Sequence, residues 1–340
     1  MKNRLGIVFF MIIGAAFVTV HARGSDDAAG RSREVVVYAY DSFVSEWGPG
    51  PELKRLFEDK TSYTVTLVSC GDAAEVLSRA VREKSKPRAD VLVGIDTTLL
   101  AQARASGVLV PYRPKGADEH IPGDLVLSDD WLLTPYDWGV FSIIYDTEAD
   151  IEPPASLEAL TGAGYRGRII LMDPRMSTPG AGFLAWTMAV YGERYTDYWE
   201  RLKPNILTLA PGWDAGYGLF VAGEAPLVIS YTTSPAYHQE YEQSSRFKAL
   251  VFPEGHIRQI EGAGMVRDAG NQDGAAAFLD FLISSEAQNV LPLTQWMYPV
   301  NASVPLPDSY RAAPAVDRIL PLPDGDIKAA MDRVLDLLSR

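Results

Sequence analysis

A single cysteine, Cys70, and four histidines in 340 residues leave this chain little with which to brace itself covalently or through metal. One thiol excludes an intramolecular disulfide, and a chain of this length can hold together by hydrophobic packing alone. His120, His238 and His256 stand at no metal-ligand spacing. Walker A, zincin, nucleophile-elbow and calcium-loop sequences are all missing, so the commonest motifs of ATP use and hydrolysis are not here. Net positive charge is missing as well: 31 Lys and Arg face 44 Asp and Glu, a balance of −13. That excess argues against nucleic acid and anionic membrane surfaces as partners, though a local anion site stays compatible with it. There is no internal repeat at solenoid periods and no low-complexity tract.

Long apolar runs are scarce too, and the one that exists is at the start. Lys2 and Arg4 precede the apolar residues 5–20, and Val20-His21-Ala22 offers a signal-peptidase site. The run has 16 residues, fewer than the roughly 20 that span a bilayer, so residues 1–22 are expected to be a cleaved signal peptide, with an uncleaved anchor as the alternative. No lipid-modifiable cysteine follows it. Cleavage leaves 340 − 22 = 318 residues and removes Lys2 and Arg4, which moves the charge from −13 to −15. A soluble, exported, monomeric protein of two domains of about 150 residues is the expectation.

The mature part alternates strand and helix signals. Residues 35–40 are β-branched and aromatic, and Pro51 then opens the helical pattern Leu53, Leu56, Phe57. Residues 65–68 repeat the strand signal, and Asp72 is placed to cap a helix carrying Val76, Leu77, Ala80 and Val81 on one face. Residues 89–95 read as a strand, and 97–106 as a helix closed by Gly107. After a stretch bearing Pro and Gly the alternation returns: strand 169–171, helix 181–191, strand 206–209, helix 215–222, strand 227–229. Such βαβ alternation predicts two α/β lobes, each a mainly parallel sheet flanked by helices. Residues 141–145 read as a strand leaving the first lobe, and 258–266 as the return. The division is then 35–139 plus 262–340 for lobe 1, completed by amphipathic helices at 275–282 and 327–338, and 140–261 for lobe 2. Two crossings make a hinge with a ligand cleft between the lobes.

Ligands of open α/β sheets sit beyond the carboxyl ends of strands, so residues just after each strand are the candidates. Tyr40-Asp41-Ser42 with Trp47, Cys70-Gly71-Asp72, Asp96, Ser177-Thr178-Pro179-Gly180, Trp213-Asp214 and Ser230-Tyr231-Thr232-Thr233-Ser234-Pro235-Ala236-Tyr237 all fall there. Helix starts offer unpaired N–H groups to an anion, and Tyr and Trp offer flat faces. Singly, Asp72, Ser177 and Ser234 read equally well as helix caps, and Trp47, Trp213 and Trp296 as core or interface residues. Their joint placement favours a ligand with a ring and a negatively charged end.

The sequence resembles the thiamine-binding proteins of bacterial thiamine ABC transporters, periplasmic solute receptors with the two-lobed type II binding-protein fold. The resemblance rests on Tyr40-Asp41-Ser42-Phe43 with Trp47-Gly48-Pro49-Gly50-Pro51, Ala89-Asp90-Val91, Asp173-Pro174-Arg175 with Ser177-Thr178-Pro179-Gly180, Tyr217-Gly218-Leu219-Phe220, residues 230–238 and Trp296-Met297-Tyr298-Pro299-Val300. It implies binding of thiamine and its mono- and diphosphate, with contacts at Asp72, Ala73, Ser177, Thr178, Trp213, Tyr231, Thr232, Thr233 and Ser234. It also implies Tyr40, Trp47, Tyr237 and Trp296 as rings around the ligand. Ala73 stands where the family can have Gly, and residues after about 313 match poorly. The implied partners are an inner-membrane permease and its cytoplasmic ATPase; no cofactor or metal is implied.

That ligand suits the chemistry. A thiazolium cation is attracted to Tyr and Trp faces by roughly 0.5–2 kcal/mol per contact, Asp72 can orient an aminopyrimidine, and phosphate would lie at Ser177-Thr178 and Thr232-Thr233-Ser234. Two alternatives remain at this point: a thiaminase-like enzyme with Cys70 as nucleophile, and a receptor for another small cation such as a polyamine or a metal.

Overall fold

The computed structural model describes residues 33–323 and 325–340; the expected signal peptide, 1–22, lies outside them. The first lobe opens with β1 (Glu34–Ala39), α1 (Pro49–Lys60), β2 (Thr64–Ser69), α2 (Ala73–Arg82), β3 (Val91–Asp96) and α3 (Leu100–Ser106). Local chemistry sets these boundaries. Pro49, rather than Pro51, takes the first helical position after the Gly48 cap, where a missing N–H costs nothing. Asp72 and Glu75 form a reciprocal capping box at the start of α2. Gly107 ends α3 at φ +63, a conformation open to glycine.

The second lobe holds β5 (Ile169–Met172), α4 (Thr178–Tyr191), α5 (Tyr195–Leu202), β6 (Ile206–Ala210), α6 (Trp213–Val221), β7 (Leu227–Tyr231) and α7 (Ser234–Tyr241). Between the lobes run β4 (Thr134–Asp146) and, after the short β8 (Phe247–Leu250), β9 (His256–Val266). The strands lie in the order β2-β1-β3-β9-β4-β7-β5-β6. Pairs β1–β2, β1–β3, β5–β6 and β5–β7 are parallel, as the alternation predicts. The crossover strands pair antiparallel with each other and with their neighbours β3 and β7, which makes the sheet mixed. Each crossover is one continuous strand shared by two lobes, so βαβ spacing carries no trace of its direction.

Two cores result. One gathers Val35, Phe43, Leu53, Phe57, Leu77, Val93 and Tyr136 with Phe278 and Leu282 of α8 (Gln272–Leu282). The other is built on Ile143, Ile170, Phe183, Trp186, Trp199, Phe220 and Ile229. Trp186 is fully buried, donates its indole N–H to the Gly255 carbonyl at 2.8 Å and stacks on Phe252.

One expectation is corrected. Residues 327–338 do not complete the first lobe: α9 (Ile327–Ser339) buries Ala330 and Val334 in the second core, against α4 and α5. The approach begins earlier, where Ile319–Leu320 pairs with His256 and Ile257. An amphipathic stripe says that a helix has a buried face but not which core receives it. Removing residues 327–340 is therefore expected to lower Tm by several degrees and to speed amide exchange in α4 and α5 while leaving α1 and α8 protected, as hydrogen-exchange mass spectrometry would show.

Candidate functional site

At the junction of the lobes lies a cavity of about 370 Å³, a size that suits a small organic ligand. Nine of the thirteen expected site residues line it: Tyr40, Trp47, Asp72, Ala73, Thr178, Trp213, Tyr231, Ser234 and Trp296. Ser177, Thr232, Thr233 and Tyr237 do not. Ser177, Thr232 and Thr233 are buried behind the wall. Tyr237 sits outside, its ring edge-on to Trp296 at 5.5 Å.

The aromatic walls are held from behind. Tyr40 is nearly buried, and its ring lies so close to Gly94 that a Cβ there would come within 2.3 Å of it; Gly94 also has φ +94. Glycine at that position is what lets Tyr40 lie flat against the sheet. Trp213, at the start of α6, donates its indole N–H to Ser230 Oγ at 2.8 Å and stacks on Tyr217 at 5.0 Å. Ser230 Oγ in turn meets Ser234 Oγ at 2.8 Å. The hydroxyls of this segment thus position rings. Tyr231 stacks on Phe141 at 5.1 Å and donates its hydroxyl to Gln259 Oε1 at 2.5 Å. Trp296 has φ +59, an outlying conformation for a bulky residue. Trp47 is half exposed at the rim.

The polar lining is acidic. Asp41, Asp72, Glu75, Asp214 and Glu261 reach the cavity, and no Lys, Arg or His does among the described residues. Asp72 accepts from the Ala73 N–H at 2.7 Å. It is half-buried by surface area yet enclosed by both lobes: a Cβ on Gly212 would lie 3.4 Å from its Oδ2, and the unpaired Ser177 hydroxyl sits beside it. Burial is the main cause that pushes its pKa up to about 7, against the Ala73 hydrogen bond. Asp96, fully buried at the end of β3, faces Thr178 and also has its pKa raised by burial. The start of α4, expected to receive a ligand's anion, therefore faces two carboxylates of the first lobe. Burial, then Asp41, raises Asp214.

Cys70 is not among the lining residues, and burial raises its thiol, the wrong direction for a nucleophile. Among the described residues no group of three His, Cys, Asp or Glu could hold a metal ion. Sequence reading missed Glu261, Gln295, Met176 and Met297 as lining residues. A charged residue inside the apolar return strand was the available signal for Glu261; nothing local marks Gln295 or the two methionines.

Residues 52–318 match the family described as bacterial extracellular solute-binding protein. The chain belongs to that family. This solute-binding protein is 41% identical over 305 residues to the thiamine-binding periplasmic protein of Brucella melitensis biotype 1, covering 89% of this chain and 90% of that one. It is 38% identical over 276 residues to the protein of the same name from Escherichia coli K12, at 81% and 83% coverage. A solved periplasmic thiamin binding protein superposes with TM-score 0.85 at 35% identity, covering 90% and 96% of the two chains. The ferric binding protein from Campylobacter jejuni, at 20% identity and TM-score 0.73 over 90% and 97%, shares the fold alone. The solute-binding protein is a binding component and not an enzyme; the Cys70 reading falls with the thiol's position outside the cleft.

Because the folded-state pKa of Asp72 lies above the usual carboxylate value, its ionisation costs the apo protein stability progressively from about pH 4 to 7, with the whole cost present above that. Asp72→Asn keeps an N-cap acceptor. It is expected to raise the apo Tm at pH 8, by about 2–4 °C per kcal/mol relieved, and the gain should shrink towards pH 5 in parallel thermal melts.

Proposed function

We propose that the protein is an extracytoplasmic receptor for thiamine, monomeric and periplasmic, which closes on the vitamin and delivers it to an ABC permease driven by a cytoplasmic ATPase. The observation that carries the reading is the pairing of ring walls with five carboxylates and no basic side chain among the described lining residues. Such a cavity favours an aromatic cation, and each ring face adds roughly 0.5–2 kcal/mol to its binding. The names of the relatives at 41% and 38% identity point to the same ligand.

Calorimetry tests this directly. Thiamine is expected to bind one to one, and Trp213→Ala to weaken it by about tenfold or more, since an indole held by two neighbours is lost from the wall. No heat and no displacement with thiamine would end the proposal.

The phosphate esters belong to the proposed ligands, with the ester near the Thr178 and Ser234 hydroxyls. The carboxylates oppose them, so affinity should fall in the order thiamine, monophosphate, diphosphate, and the gaps should narrow as salt screens the charges. Titrations of the three forms at low and high ionic strength would show this; a diphosphate preference at low salt would contradict it.

A further inference from the structure

Glu261 lies on β9, among the lining residues of the cavity and almost wholly buried. Its Oε2 accepts from the hydroxyls of Tyr40 at 2.9 Å and Tyr136 at 2.5 Å, and its Oε1 from Gln259 Nε2 at 2.6 Å. Gln259 receives the Tyr231 hydroxyl, and Gln295 donates to that of Tyr40. One carboxylate on a crossover strand is thus wired to a ring wall of each lobe.

All of these donors are neutral. They solvate a negative charge but do not cancel it, and no salt bridge reaches Glu261 among the described residues. Its register partner across the crossover pair is Asp137, fully buried with neither carboxylate oxygen hydrogen-bonded. Burial first, then the neighbouring Glu261, raises the Asp137 carboxyl, since ionising it would place a second charge beside the first. The other acids facing Glu261 are Asp96 at the end of β3 and Asp72 at the start of α2, both from the first lobe; burial first, and these acids as well, push its pKa up to about 7, so a cation in the cleft would favour its charged form.

A hinge tie alone would not need a charge at this place. We infer that Glu261 is the specificity-determining counter-ion of the cleft, a carboxylate held ready by Tyr40, Tyr136 and Gln259 to select a cationic ring over a neutral one of the same shape. The inference rests on the thiamine reading and adds to it the residue that discriminates charge.

The test compares thiamine with its thiophene isostere, in which carbon replaces the quaternary nitrogen. Wild type should bind thiamine more tightly, and Glu261→Gln should shrink that preference by about tenfold or more, the loss expected when one partner of a desolvated charge pair is neutralised. Glu261→Asp, which keeps the charge and disturbs the ties, should weaken both ligands and keep the preference. A merely structural Glu261 would give the reverse, with the preference unmoved in Glu261→Gln; that result would overturn the inference and leave the receptor reading standing. Should neither variant show a cooperative melt, wild type still tests the inference, because equal affinity for the two ligands refutes the counter-ion. Failure of wild type to bind thiamine at all would instead refute the receptor reading.

Discussion

The antiparallel pairing of β4 with β9 is the constraint on which the remainder of the molecule depends. From Arg258 opposite Val140 to Ala263 opposite Thr134, these two strands are the common centre of both sheets. Like the later segment that leads to α9, this ladder joins the two lobes. Its backbone hydrogen bonds resist shear and permit bending, which fits closure about a hinge. The strands carry polar side chains at their centre, where apolar ones would pack more cheaply. One of those groups, Glu261, lines the cleft, so the element that sets the lobe geometry also contributes to the local charge.

Burial acts on that charge in a consistent direction. Asp72, Asp96, Asp137, Asp214 and Glu261 all have raised pKa values, and desolvation is the largest cause for each. Carboxylates with arginine partners move the other way even when buried, as Asp146 does beside Arg246 and Asp173 beside Arg175. The fold therefore leaves the cleft acids without basic neighbours, at a cost in stability that a cation of the kind proposed would relieve. Function and marginal local stability here have the same physical source.

Much of the fold could be read along the chain because its elements are bounded by local chemistry. Asp72 and Gly107 announce their helices without help from tertiary structure, and Pro51 marks a helix that in fact starts two residues earlier, at Pro49. Ring and hydroxyl residues at strand ends were likewise visible, and Tyr40, Trp213 and Tyr231 do meet at one cavity. What could not be read was partnership. Ser234 looked like an anion site, and its hydroxyl also supports Ser230 and, through it, Trp213. Glu261 gains its meaning only from the register that sets it beside Asp137 and below Tyr40. The destination of α9 was hidden for the same reason, since a helical stripe does not name the surface it will meet.

The position of α9 has a consequence for the order of assembly. The second core is made largely from residues 141–257, yet it is sealed by Ala330 and Val334 near the end of the chain. The first core likewise waits for Phe278 and Leu282. The second lobe cannot finish while the chain is still being made, because it lacks a wall that is synthesised last, whereas the first needs residues only up to Leu291. Loop closure across such separations is slow compared with helix formation. The second lobe of such a chain stays less than fully packed until nearly all of it has emerged.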